Sequence, residues 1–121
     1  MNWQELPIPF RTIVTGLSVG GIPETLYVGT EQGLTGTSDG GQTFAQLRAI
    51  NGTAPITAVG AVPGSPIIYV GTGRGLSRSD DGGATWSKTD FGGSVAALAV
   101  EPTSPDRVAL VDPQGGLYRS R

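Results

Sequence analysis

The sequence predicts an all-β chain built from one unit repeated along its 121 residues. Two observations carry that reading. The first is a motif that occurs twice, as Thr37-Ser38-Asp39-Gly40-Gly41-Gln42-Thr43-Phe44 and as Ser79-Asp80-Asp81-Gly82-Gly83-Ala84-Thr85-Trp86, with the copies 42 positions apart. A fixed period of this length is the signature of a repeat architecture. The second is the pattern between the motifs: short apolar runs rich in Val, Ile, Thr and Tyr, each bounded by Gly, Pro, Asn or Asp, which read as strands. No stretch sustains helical spacing. The repeats lay out as 3–43, 44–85 and 86–121.

Each unit carries four segments in a constant order. The first is small and apolar: 13–19, 56–62 and 95–100. The second is bulkier: Thr25–Thr30, 67–72 and 107–111. The third follows a Gly turn: Gly33–Thr37, Gly75–Ser79 and 116–120. The fourth begins at an aromatic residue: Trp3 to Leu6, Phe44 to Leu47 and Trp86 to Thr89. The first two segments are nearly continuous apolar runs, which implies burial on both faces. Ala and Gly in the first suit a crowded position near an axis, and the polar alternation of the fourth suits an outer edge. Four antiparallel strands per repeat, ordered from axis to rim, is the pattern of a β-propeller blade.

Turn chemistry accounts for the motif. Asp39 and Asp81 are placed to accept backbone N–H bonds inside a tight turn, and Gly41 and Gly83 to take φ > 0. Thr43 and Thr85 are expected to begin the next strand, and Phe44 and Trp86 to pack toward a neighbouring blade. A phosphate-binding loop is a poor alternative, because Asp sits at its centre and no Gly-Lys-Ser/Thr follows.

Composition removes several function classes. Gly 20 and Pro 9 make up about a quarter of the chain, but the apolar residues form short runs separated by glycines at regular spacing, which argues against a disordered tract. Net charge is −2 with eight scattered basic residues, so no nucleic-acid or membrane-surface footprint is expected. No run reaches the apolar length of a membrane span, and the N-terminal residues lack a basic patch followed by an apolar stretch, so no signal peptide is expected. The absence of Cys and His removes disulfides, thiolate chemistry, the commonest metal ligand and the commonest general base. Neither a cofactor nor a metal is expected.

These residues resemble the Asp-box, or bacterial neuraminidase repeat. The resemblance covers essentially the whole chain and is strongest over Ile67–Trp86. Such repeats occur in sialidases, xyloglucan-degrading glycoside hydrolases, sortilin-type receptors and photosystem II assembly factors. In these families the box is a structural hairpin between the third and fourth strands, on the face opposite the usual active site. The resemblance therefore implies a propeller and does not imply an activity. Phe10-Arg11-Thr12-Ile13 has the Phe-Arg pair of the sialidase motif but lacks its Ile-Pro. Tyr27 and Tyr69 share one repeat position inside apolar segments and read as core residues. The residue order Asp112-Pro113 reads as a turn.

A propeller closes with typically four to eight blades, so three leave two apolar blade faces open. The third unit ends before a fourth strand of its own, and a spare fourth strand opens the chain. Trp3 and Leu6 are thus expected to pair with Leu117 and Arg119 of a second copy, giving a homodimer with a six-bladed ring. The plainer alternative is an excerpt of a longer propeller. Candidate ligand-face residues are Arg11, Glu31, Gln32, Asn51, Arg74, Asp112 and Gln114, all in short loops. Short loops and unmatched catalytic motifs favour a non-catalytic scaffold that binds a glycan or a protein. A glycoside-hydrolase-like enzyme would need two carboxyls roughly 5–10 Å apart, with Glu31 and Asp112 as the only plausible supply. A propeller fragment without a selected ligand is the third reading.

Overall fold

The computed structural model describes Trp3, Glu5 and residues 14–21, 24–31, 33–47, 55–104 and 107–120. It contains eleven strands among these residues: β1 (Val14–Gly20), β2 (Thr25–Thr30), β3 (Gly33–Thr37), β4 (Ala45–Leu47), β5 (Ile56–Ala61), β6 (Ile68–Thr72), β7 (Gly75–Ser79), β8 (Ser87–Lys88), β9 (Ala97–Val100), β10 (Val108–Val111) and β11 (Leu117–Arg119). They form three antiparallel sheets, ordered β1-β2-β3-β4, β5-β6-β7-β8 and β9-β10-β11. The first two sheets have the four strands expected of a blade. The third has three among the described residues, leaving β11 as an edge.

The second and third strands match their expected bounds closely, because glycine turns bracket them. Gly33 and Gly75 open β3 and β7 with φ of 135° and 136°, a conformation that disfavours any side chain. The fourth strands do not begin at Thr43 and Thr85 but start after the aromatic, at Ala45 and Ser87, because both threonines are bound by N–H and hydroxyl to the loop carboxylates Asp39 and Asp81.

The innermost strands β1, β5 and β9 lie side by side across the sheets. The Thr15 hydroxyl donates to the Ile56 carbonyl, and the Thr57 hydroxyl donates to the Val95 carbonyl at 2.5 Å. The Ser18 hydroxyl accepts from the Ala61 N–H at 2.9 Å. Blade-to-blade packing then repeats one arrangement. Tyr27 and Leu34 of the first sheet meet Ile56, Val59, Ile68 and Val70 of the second. Tyr69 and Leu76 of the second meet Val95, Val108 and Leu110 of the third, with Leu98 packed alongside. Gly29 and Gly71 make this possible. A Cβ on Gly29 would stand 2.6 Å from Ile56 Cγ2, and one on Gly71 2.5 Å from Val95 Cγ1.

Burial on both faces, expected for all first strands, holds for the sandwiched β5 and fails for β1 and β9. The reason is position. The second sheet has a neighbour on either side, whereas among the described residues each end sheet has one. Leu17 is accordingly 64% exposed, and Val14 and Val19 are exposed with it. Leu117, the repeat counterpart of the buried Leu34 and Leu76, is 74% exposed.

Candidate functional site

The two Asp loops are built alike. In the first, Asp39 Oδ1 accepts the Thr37 hydroxyl at 2.7 Å and the Thr43 N–H at 3.0 Å, and Oδ2 accepts the Thr43 hydroxyl at 2.5 Å. In the second, Asp81 takes the Ser79 hydroxyl, the Thr85 N–H and the Thr85 hydroxyl in the same way, at 2.7, 2.9 and 2.5 Å. The Thr37 and Ser79 hydroxyls also accept the N–H of Gly41 and Gly83. Both glycines have positive φ, and so do Gly40 and Gly82 before them. Hydrogen bonds to the ionised form hold both carboxyls down. The Thr43 and Thr37 hydroxyls hold Asp39 well below the usual carboxylate range. The Thr85 hydroxyl and N–H, with the Ser79 hydroxyl, hold Asp81 at about 2. These acids organise turns.

Trp86 is half-buried against the core between the first and second sheets, and its indole N–H donates to the Gly83 carbonyl at 3.1 Å. Phe44 holds the matching place in the first sheet and is likewise half-buried.

At the opposite strand ends, Glu31, Arg74, Asp112 and Gln114 lie in the turns joining second to third strands. Asp112 is committed locally. Its Oδ1 accepts the Gln114 and Gly116 N–H groups at 3.0 and 2.7 Å, and its Oδ2 accepts the Tyr118 hydroxyl at 3.1 Å. The Gly116 N–H is the main cause of its lowered pKa, and the carboxylate in turn raises that of Tyr118. Asp112 stands where the other blades have Thr30 and Thr72. The Thr72 hydroxyl accepts the Arg74 N–H at 3.0 Å, so one backbone turn is served by two chemistries. Glu31 and Arg74 are exposed. Arg11, Gln32, Asn51 and Leu6 lie outside the described residues, as does most of the expected N-terminal strand. Trp3 is described and is 89% exposed. Among the described residues no group of acids could hold a metal ion, and no helix is long and apolar enough to cross a membrane.

Sequence reasoning missed a groove of about 510 Å³ between the second and third sheets, beside the β11 edge. This volume is within the range of small-ligand pockets. Its walls are Tyr69, Leu76, Val108 and Leu110, with Arg78, Phe91 and Tyr118 at its rim. Phe91 and Tyr118 meet edge to face at 5.0 Å. The Arg78 guanidinium donates to the Tyr69 hydroxyl at 3.0 Å and to Asp80 at 2.6 Å, with its Cζ 5.6 Å from the Tyr69 ring centroid. No motif marks the groove, which lies where no described side chain fills a repeat position.

Three sheets stacked side by side, with first strands adjoining and box-like turns at one end, define a β-propeller architecture. Solved structures agree. The chain is similar to YCF48 from Cyanidioschyzon merolae, at 20% identity and a TM-score of 0.78, covering 98% of this chain and 37% of that one. A structure of YCF48 bound to D1 peptide matches at 17% identity and a TM-score of 0.71, over 93% of this chain and 39% of that one. An ancestral GH74 enzyme matches at 20% identity and a TM-score of 0.72, over 91% of this chain and 15% of that one. The chain thus spans less than two fifths of the length of these propeller chains. No family model matches, and no curated relative matches.

Proposed function

We propose that this chain is a non-catalytic β-propeller module that serves as an interaction scaffold, built from three repeats of the Asp-box type. The observation that carries the reading is the state of Asp112. It is one of the two acids available for a glycosidase pair, and its oxygens accept three hydrogen bonds from its own turn and from Tyr118. A general acid needs a raised pKa, and that of Asp112 is lowered, so it does not suit the acid's half of such a pair. The nucleophile's half needs oxygens free to reach substrate, and these are held by the turn. One similar propeller, YCF48, has been solved with a D1 peptide bound, which supports a protein segment as the class of ligand for this chain.

The scaffold closes on itself in this reading. Two copies, each supplying three blades, form a six-bladed ring, with the Leu17 and Val19 face of one copy against the Leu117 face of the other. The apolar exposure of both end sheets supports it, since contiguous uncovered apolar surface marks an interaction site. A panel of aryl glycosides, glycans and peptides tests the function. Binding without turnover is the expected outcome. Turnover that disappears in Glu31→Gln or Asp112→Asn would overturn it in favour of a glycoside-hydrolase-like enzyme, and empty binding screens would leave a propeller fragment without a ligand.

A further inference from the structure

We propose that the groove beside β11 is the seat of Trp3 from a second copy, whose N-terminal segment adds to the third sheet as its outermost strand. The inference rests on the two-copy reading and names the residues that would join the copies.

Its ground is a comparison internal to the fold. Trp86 packs against a core cluster that includes Tyr27, Leu34, Ile68 and Val70. Moving one sheet along, the same strand positions are held by Tyr69, Leu76, Val108 and Leu110, as the matching strand registers require. These four are the walls of the groove. The seat is therefore built a second time, with its Tyr and Leu kept and its Ile and Val replaced by Val and Leu, and no described aromatic from a fourth strand enters it. Phe91 and Tyr118 close part of the rim and leave about 510 Å³ open.

The edge beside the groove has the matching hydrogen-bonding form. In the second sheet, Trp86 is followed by Ser87 and Lys88, which pair with Arg78 and Ser77 of β7. In the first, Leu47 pairs with Leu34. β11 presents Arg119, Tyr118 and Leu117 at those positions, with no strand beyond it among the described residues. An open strand edge is a template for strand addition, in which backbone bonds give affinity and side-chain pockets give specificity. The chain itself holds a segment of the right form. Trp3 precedes Leu6 by the spacing that separates Phe44 from Leu47, and its indole is nearly fully exposed on its own chain. The implied register sets Gln4 against Arg119, Glu5 against Tyr118 and Leu6 against Leu117.

That register is tested by cross-linking. The chain has no cysteine, and directly opposed residues in antiparallel strands are about 4.5–5.5 Å apart at Cα, within disulfide reach. Gln4→Cys combined with Arg119→Cys, under mild oxidation, is expected to give a covalent dimer at high yield, and each single variant is not. A disulfide within one chain would overturn the second copy as occupant, and absence of any cross-link would overturn the register. A second measurement separates this inference from the ring itself. Trp3→Ala changes an exposed side chain and leaves the fold intact. Its open seat should bind a labelled peptide of residues 1–8 with one site per chain, read by anisotropy, and a peptide with Trp3→Ala should bind about tenfold more weakly or worse. A Trp3→Ala variant that stays dimeric and ignores the peptide would sink the seat and leave the ring standing. A monomer that binds it would sink the ring and leave the seat standing.

Discussion

Replacing Gly71 by Ala tests the contact that sets the spacing between blades. The new Cβ would lie 2.5 Å from Val95 Cγ1 and 2.6 Å from Val95 Cβ, where ordinary contact begins at 3.4 Å. One of the two sheets would have to retreat by about 0.9 Å. Val95 cannot turn away easily. It is 1% exposed, and a β-branched side chain has few χ1 choices. Its N–H donates to the Thr72 carbonyl at 3.0 Å, and its own carbonyl accepts the Thr57 hydroxyl, so the backbone is held on both sides. Overpacking of this kind costs about 1–3 kcal/mol. Val95→Ala alone loses buried methyl groups and leaves a void, for about 2 kcal/mol. Combined, the two changes remove the Cγ1 clash and leave the Cβ clash at 2.6 Å, so the relief is partial and the double variant should fall about 1 kcal/mol short of the sum. Urea unfolding at one fixed chain concentration measures all three, because association alters apparent stability. Gly92→Ala is the control: an added Cβ there meets nothing within 4 Å, and the expected change is within about 0.5 kcal/mol. Additive losses, or a Gly71→Ala protein as stable as the parent, would refute the knob-and-hole account of blade spacing.

Three further outcomes are expected. Asp39 and Asp81 have folded-state pKa values below the unfolded value of 3.8, so their contribution is present above that value and is lost as pH falls toward about 2; urea midpoints should drop across this window, and Asp39→Asn with Asp81→Asn should flatten the drop. Gly82 has a φ of 75°, so Gly82→Ala, with no steric contact to confuse the result, should cost about 1 kcal/mol by thermal or urea unfolding. Thr57→Val removes the hydroxyl that bonds the Val95 carbonyl across the sheets and should cost about 1 kcal/mol, whereas Ala96 already lacks a hydroxyl at the matching place in the third unit, so Ala96→Ser should be tolerated.

The parts of the molecule legible in the sequence are those set by local chemistry. Gly33 and Gly75 fix where the third strands start, and Asp39 and Asp81 announce the turns that end them. Regular spacing of these signals was enough to read three sheets. The exposure of β1 was harder to see within the strand itself, because Leu17 and Val59 are equivalent in sequence and differ only in whether a neighbouring sheet covers them. Asp112 shows a similar limit. Its role follows from the Gly116 N–H and the Tyr118 hydroxyl reaching it in space, and an acid in a loop carries no mark of such partners. The groove was the least legible feature. Tyr69, Leu76, Val108 and Leu110 each read as ordinary core residues, and only their assembly around an unfilled repeat position makes a site.

Sedimentation of the native protein at micromolar concentration tests the central claim most directly. A closed ring of two three-bladed copies requires a species of twice the 12.4 kDa chain mass, with no free monomer at equilibrium. A stable, well-folded species of a single chain mass would contradict the account.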